Sequence, residues 1–446
     1  MVDDTIVAIA TPFGAGSIAI VRLSGKNSYN IALNLTKKSS LTPRYSHLSK
    51  LYNSSLELID EAIVIYFKAP HSFTAEDVVE FQCHGGFIVA NMIVNECLKN
   101  GARMANSGEF TKRAFLNGRI DLTKAEAIAK LIESKNEFGA KILARQLNGE
   151  LKSEIEKFRE QLIEILAYIE VTIDYAEDDL PLSVHEDIVK KLQSLVERFN
   201  KIVAISSKKD GIFDGFKVCI VGKPNVGKSS LLNKLLNYDR AIVSNYAGTT
   251  RDTIEENLKI GTHLVKIVDT AGIRQTDEHV EKVGIERTLN AIKEADIIVA
   301  MFDYSSKLDN EDTEILNIIS DFQTNKDVIF VLNKSDLPKM IDIDENLECL
   351  SVSCKQDISN LIDKLNSTLS KYEHSEDIIL ISNRQIEIVK SVSMTIESSL
   401  ELLENGEFEL FSYHINESIQ LISSISKPYN YDEMLDKMFS SFCLGK

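Results

Sequence analysis

The sequence predicts a multidomain protein, α/β plus all-α, in which an N-terminal α+β domain is followed by a helical domain interrupted by a parallel α/β unit. Three observations carry this. Short β-type runs alternate with turn residues up to about residue 118; residues 122 to about 209 place apolar side chains at three- and four-residue spacing; and from Lys217 to about Leu369 apolar strands alternate with helical segments. Helical periodicity then returns from Asn383 to Lys446, so the α/β unit reads as an insertion in a helical domain. The 446 residues suit about three domains at roughly 150 residues each. The expected boundaries are 1–118, then 119–212 with 376–446 for the discontinuous helical domain, and 213–375 for the insert.

In the first domain TIVAIA, SIAIVRLSG, EAIVIYF and VVEFQCHGG are the expected strands, and FIVANMIVNECLKNG is a helix. The helical domain opens with LTKAEAIAKLIESKNEFGAKILARQLNGELKSEIEKFREQLIEILAYIEV, and Pro181 marks a break before a second long helix. SSKKDGIFDGFK is a linker. In the insert KVCIVG, HLVKIVD, IIVAMFD, DVIFVLN and CLSVS are the expected strands, and their alternation with helical segments is the pattern of a parallel α/β sheet.

Bulk properties narrow the function classes. Hydrophobic residues make up 44% and charged residues 26%, with no extended low-complexity run, so the chain is expected to fold throughout. A net charge of −17 repels a polyanion at long range, so any nucleic acid must be engaged locally or through a partner. Cys83, Cys97, Cys219, Cys349, Cys354 and Cys443 form no CxxC pair and no metal-type spacing, which fits reduced thiols. No apolar run approaches the roughly 18 residues of a membrane span, and the acidic start is unlike a signal peptide. The expectation is a cytoplasmic protein without membrane association.

GKPNVGKSS, from Gly222 to Ser230, follows the strand KVCIVG and opens the helix SSLLNKLLN, the context a phosphate-binding loop requires. Gly222 and Gly227 let backbone amides, with Asn225 and Val226 between them, wrap the phosphates. Lys228 neutralises β/γ charge, and Ser229, with Ser230 beside it, ligates Mg²⁺. Downstream, Thr249 and Thr250 of AGTTRD offer oxygens to Mg²⁺ and the γ-phosphate. Asp269 ends HLVKIVD where a carboxylate can hold a metal-bound water, and Thr270, Ala271 and Gly272 lead the backbone past the γ-phosphate. NKSD closes DVIFVLN, bringing Asn333, Lys334 and Asp336 to a strand end; the Asp336 carboxylate matches the N1–H and N2–H₂ donors of guanine, a pair that adenine lacks. Ser353, Cys354 and Lys355 complete the base pocket from the next strand end. Together these motifs imply a GTPase resembling the translation-factor-related GTPases.

One position breaks the pattern. Ile273, in DTAGIRQ, stands where many GTPases carry the glutamine that orients the attacking water. Charge and water placement must then come from elsewhere in the chain or from a partner's arginine. Asn225 can offer a side-chain oxygen to a monovalent cation beside the phosphates, and SNYAG, from Ser244 to Gly248, can offer carbonyls. For the water, Asp277, Glu278 and Glu281 are the acidic candidates, each of which can equally be a solvated charge.

Read together, DTIVAIATPFGAGSIAIVRLSG, SFTAEDVVEFQCHGG, GEFTKRAFLNGRIDLTKAEAI, AIVSNYAGTTRD, DEHVEKVGIER and the terminal FCLGK resemble the MnmE (TrmE) family of tRNA modification GTPases, from Thr5 to Lys446. The resemblance implies an N-terminal domain that dimerises and binds a tetrahydrofolate derivative (5-formyl- or 5,10-methylene-tetrahydrofolate), making the chain a homodimer. It also implies an MnmG-like flavoprotein partner in a heterotetramer or larger complex, with FAD and NADH supplied through that partner. The joint product is an aminomethyl or carboxymethylaminomethyl group at C5 of the wobble uridine of certain tRNAs. By the same resemblance K⁺ is ligated by Asn225, Ser244, Tyr246 and Thr249, Mg²⁺ by Ser229 and Thr250, and Glu281 orients the water once two G domains meet. The folate positions are Arg22, Glu80, Arg119 and Lys446, where a carboxylate suits the pterin's N–H groups and cations suit the glutamate tail. Cys443, in the tail that the family directs at the folate pocket, is the candidate participant in the modification chemistry. A ribosome-assembly GTPase is disfavoured, since no GxxG loop or basic aromatic platform follows the G domain. A membrane-associated GTPase lacks both a span and a basic amphipathic helix.

Overall fold

The computed structural model describes residues 4–12, 14–174, 182–238, 256–268, 289–323, 326–343, 347–371, 378–427, 442 and 445. The chain divides into two compact units, one of Met1–Ala129, Gln146–Glu177 and Phe408–Lys446, the other of Lys130–Arg145 and Asp178–Glu407.

The first unit is built on a six-stranded sheet. Its strands are β1 (Ile6–Ile9), β2 (Ile18–Ser24), β3 (Ser46–Tyr52), β4 (Leu58–Phe67), β5 (Val78–His84) and β6 (Arg103–Met104), in the order β3-β4-β5-β2-β1-β6. Neighbours are antiparallel except β1 with β6. Period-two alternation buries one face, where Val21, Leu23, Val64, Tyr66, Val79 and Phe81 meet helices Ser28–Thr36 and Phe87–Lys99. Near β1 the other face is covered by Phe110 of helix Glu109–Leu116, which packs with Ile6, Ala8, Ala105 and Phe73. Toward β3 and β4 that face stays open, and Leu48 and Ile63, directly opposite each other, are exposed. Helix Leu122–Glu133 begins where the Asp121 carboxylate accepts from Lys124 N at 3.0 Å. Helices Glu150–Asp174 and Phe408–Ser424 pack against each other.

The second unit carries a second sheet, in the order β12-β11-β10-β7-β9-β8. Its strands are β7 (Phe216–Val221), β8 (Glu256–Ile260), β9 (His263–Val268), β10 (Ile297–Asp303), β11 (Asp327–Asn333) and β12 (Cys349–Ser351). The sheet is parallel apart from the antiparallel edge pair β8–β9. β10 is central, and six of its seven residues are buried. Helices Leu182–Ser206 and Asn383–Glu404 pack together, the second capped by Ser382. The segment around helix Glu137–Leu147 is tied in where Asn136 Nδ2 donates to Ile212 O at 2.7 Å and Phe213 O at 3.1 Å. The expected strands of both sheets are present; β3, β6 and β8, and helices Ser28–Thr36 and Glu109–Leu116, are additions to what the sequence pattern predicts, and the expected linker SSKKDGIFDGFK instead forms helix Lys209–Asp214, because Ile212 and Phe213 are buried.

Candidate functional site

The phosphate loop leaves β7 at Val221 and enters helix Lys228–Tyr238. Gly222 has φ 157°, and a Cβ there would lie 2.5 Å from Met301 O, so only glycine lets the loop hug β10. Asn225 sits at φ 63°, a left-handed conformation that asparagine tolerates better than other side-chain-bearing residues. Gly227 has φ 105°, and a Cβ would fall 2.2 Å from Asn333 Nδ2. Val226 is buried while Asn225, Ser229 and Ser230 are on the accessible side of the loop and first turn. Lys228 Nζ donates to Gly222 O at 2.6 Å and Lys223 O at 2.8 Å, bracing the loop across its mouth. Burial pushes the Lys228 ammonium below its ordinary range, with Glu311 pulling the other way. Backbone N–H groups of a glycine-bounded loop at a helix start, plus one desolvated ammonium, form a site for a polyphosphate.

The base side comes from β11 and β12. Asn333, 3% exposed, ends β11 and donates from Nδ2 to Val226 O at 2.7 Å while Oδ1 accepts from Cys354 N at 3.1 Å. Its carboxamide therefore joins the phosphate loop to the 353–355 turn. Lys334, at φ 67°, bonds Asp303 at the end of β10 through Nζ to Oδ2 at 2.5 Å. Asp336 accepts from Ser353 Oγ at 2.7 Å, and that hydrogen bond keeps its carboxyl below the usual range, ionised and ready for two N–H donors. Burial pushes the Cys354 thiol up to about 11, so it stands in the turn as a neutral group. Lys355 is exposed. Thus Gly222, Asn225, Val226, Gly227, Lys228, Ser229, Ser230, Asn333, Lys334, Asp336, Ser353, Cys354 and Lys355 all lie along the C-terminal ends of the parallel strands, where open α/β sheets bind ligands. Ser244, Tyr246, Thr249, Thr250, Asp269, Thr270, Ala271, Gly272, Ile273 and Glu281 lie outside the described residues, as do Cys443 and Lys446.

Of the folate candidates, Arg22 and Glu80 face each other across β2 and β5. Nε and Nη2 of Arg22 each lie 2.8 Å from Glu80 Oε1, so in this state the two satisfy one another. The Arg22 guanidinium also lies 5.4 Å from the Phe73 ring centroid and 5.8 Å from that of Phe110. Arg119 Nε donates to Ser72 O at 3.3 Å, so Arg22 and Arg119 both contact segment 72–73. Two described residues near the chain end lie on the first unit: Phe442 packs against the Leu122–Ala125 cluster, as Phe115 and Ile120 do, and a Cβ on Gly445 would lie 2.3 Å from Ile9 O, next to the β1 residue that pairs with Arg22.

Motif spacing does not single out Lys223, Asp303, Asp309 or Asp312, which the structure places around the same strand ends. Lys223 Nζ lies 2.5 Å from Asp309 Oδ2 and 2.6 Å from Asp312 Oδ2, and these two acids form the capping box of helix Asn310–Ser320. The available signal was the D-x-x-D spacing just before a helical run. No group of three or more metal-ligating side chains occurs among the described residues. No helix among them is long and apolar enough to cross a membrane.

Comparison with known proteins gives matches along the whole chain. Residues 122–443 match the family described as MnmE helical domain, and residues 5–119 that described as GTP-binding protein TrmE N-terminus. A protein of Sulfurimonas denitrificans called tRNA modification GTPase MnmE is 55% identical over 446 residues, 100% of both chains. Its namesake in Aliarcobacter butzleri is 53% identical over 444 residues, 100% of this chain and 99% of that one. A solved structure of Era in complex with MgGDPNP and 16S ribosomal RNA is 29% identical, covering 40% of this chain and 66% of that one at a TM-score of 0.26.

Proposed function

The chain belongs to the MnmE family of tRNA modification GTPases, and from that premise we propose that its GTP hydrolysis serves the addition of an aminomethyl or carboxymethylaminomethyl group at C5 of the wobble uridine, jointly with an MnmG-like flavoprotein. The observation that carries the GTPase assignment is that a braced phosphate loop after β7 and an ionised Asp336 after β11 stand at the same edge of one sheet, with only β10 between their strands. GTP and Mg²⁺ fit this donor set: the cradle at Gly222 and Gly227 has no room for a Cβ, and Ser229 opens the helix as a hydroxyl ligand. Thr250 completes the Mg²⁺ set. K⁺, held by Asn225 with Ser244, Tyr246 and Thr249, supplies the positive charge that an arginine finger would otherwise bring to the phosphates. Glu281 places the water.

A tetrahydrofolate derivative is the proposed one-carbon source. Glu80 suits the pterin's N–H edge, Arg22, Arg119 and Lys446 suit carboxylates, and the rings of Phe73 and Phe110 give Arg22 a rigid seat. The seat of Gly445 against Ile9 of β1, with Phe442 against Leu122 and Ala125, supports placing Cys443 near the folate candidates. The open apolar face with Leu48, Ile63 and Ile18 supports a homodimer formed through the same domain. FAD and NADH act through the partner flavoprotein. The reading is tested by mass spectrometry of wobble nucleosides from cells lacking the chain, which should lose the C5 substituents, and by GTP turnover of the purified protein, which should be much faster in KCl than in NaCl. Unchanged nucleosides would remove the tRNA reading, and equal rates would remove the cation.

A further inference from the structure

Lys223 occupies the first variable position of the phosphate loop, where the motif asks for nothing in particular. Its two ends do different things. Its backbone carbonyl takes one hydrogen bond from Lys228 Nζ, at 2.8 Å, and so fixes where that ammonium stands. Its own ammonium reaches out of the loop to both carboxylates of the capping box, Asp309 and Asp312. Asp312 is 2% exposed, and its Oδ2 also accepts from Asp309 N at 3.2 Å. Burial alone would lower the Lys223 ammonium, but the two carboxylate hydrogen bonds outweigh it and hold the group charged.

Two carboxylates at a helix N-terminus stabilise that helix. Here they also stand beside the loop that must receive a triphosphate, and without a counter-charge they would repel it. A capping box of serine and glutamine would stabilise the helix without that cost, so the lysine and the two acids make sense as one unit.

We propose that Lys223 is a positioning residue for nucleotide binding, offsetting part of the Asp309–Asp312 charge next to the phosphate site. This rests on the GTP reading of the site. The test compares wild type, Lys223→Met, the pair Asp309→Asn with Asp312→Asn, and the triple variant in full-length protein, by titration with a fluorescent GTP analogue at fixed KCl with low and high added choline chloride. Lys223→Met should raise Kd on the order of tenfold at low salt, with a smaller change in kcat, and the gap should shrink at high salt. The Asp pair alone, which leaves the lysine uncompensated, should bind at least as tightly as wild type. The triple variant should return to within about threefold of wild-type affinity, because the charge to be cancelled is gone. A triple variant no tighter than Lys223→Met, or an Asp pair that binds worse than wild type, would show a purely mechanical clamp and overturn the proposal. Wild-type protein that binds no GTP would instead remove the reading on which it stands.

Discussion

Replacing Asn333 with alanine should loosen both halves of the nucleotide site at once. The carboxamide makes two hydrogen bonds to main-chain groups, Val226 O at 2.7 Å and Cys354 N at 3.1 Å, from a side chain 3% exposed. Each is worth about 1 kcal/mol net, but an orphaned buried group costs about 1–3 kcal/mol, a penalty that falls in full on Val226 and in part on half-buried Cys354. The two together predict a loss of about 2–5 kcal/mol from the α/β domain, with weaker binding of any guanine nucleotide. The chain has no tryptophan, so unfolding is best followed by far-UV circular dichroism, using the transition that GDP shifts upward to identify the nucleotide-binding domain. A companion variant sharpens the test. Gly227→Ala should destabilise twice over, through its φ of 105° and through a Cβ 2.2 Å from Asn333 Nδ2. Adding Asn333→Ala removes the clash and leaves the strain, so the double variant should recover only part of the Gly227 loss. A shift below about 0.5 kcal/mol for Asn333→Ala, with unchanged nucleotide affinity, would refute the clamp.

Asp336→Asn should turn base preference from guanine toward xanthine by a factor on the order of 100, because the amide presents a donor where the carboxylate accepted; competition between GTP and XTP reads this out. Glu281→Ala should lose GTP hydrolysis and keep nucleotide affinity, and a large rise in Kd would assign it to the pocket instead. In the first unit Arg113, 4% exposed, bonds Asp4 Oδ1 at 2.6 Å, Glu109 Oε1 at 3.0 Å and Glu76 Oε2 at 3.2 Å. Arg113→Ala removes one of two arginines from this cluster, leaving Arg103 on Asp4 and Glu109, and should cost about 1–3 kcal/mol in that unit, measured by urea unfolding. Burial alone would raise the carboxyls of Asp4 and Glu109, yet the hydrogen bonds from Arg103 and Arg113 outweigh it and hold both below their ordinary values. Depressed carboxyls stabilise the fold above their unfolded values, so this contribution should be intact at neutral pH and fade as pH drops below about 4. Stability of the first unit that stays flat from about pH 6 to about pH 2 would contradict this.

The strands that were legible are those whose both faces are buried or whose alternation is strong: IIVAMFD and VVEFQCH announce themselves by apolar content. β8, ENLKI, and β3, SHLSKLY, are edge strands, where Lys259 and Lys50 keep water on one side and the apolar signal thins to a few residues. Helix Ser28–Thr36 reads SYNIALNLT, poor in strong helix formers, and is held by Ile31, Ala32 and Leu35 packing on the sheet. Local preference was overruled there by burial, which a single sequence does not display.

The same division runs through the site. Residues that would touch a ligand are constrained by the ligand's chemistry and therefore form short patterns: glycines where phosphate needs bare backbone, a carboxylate where guanine offers two donors. Residues that hold those residues answer only to their neighbours in space. Lys223 finds its carboxylates 86 and 89 residues away, and Asn333 reaches a carbonyl 107 residues back. No spacing rule connects them. The Arg22–Glu80 pair is the intermediate case, since each was legible as a ligand-binding group and neither as the other's partner, although both requirements fall on the same two side chains. A site that keeps its charges paired with each other until a ligand arrives avoids leaving a half-buried charge uncompensated, and the ligand then has to replace a 2.8 Å ion pair rather than meet a free carboxylate. If a folate binds as proposed, its affinity should depend on Arg22 in two opposed ways, because the guanidinium would attract the ligand's carboxylates and also compete with the pterin for Glu80. That is why Arg22→Ala is expected to weaken binding less than Glu80→Ala, and equal losses in a folate titration of the two variants would argue that the pair does not open.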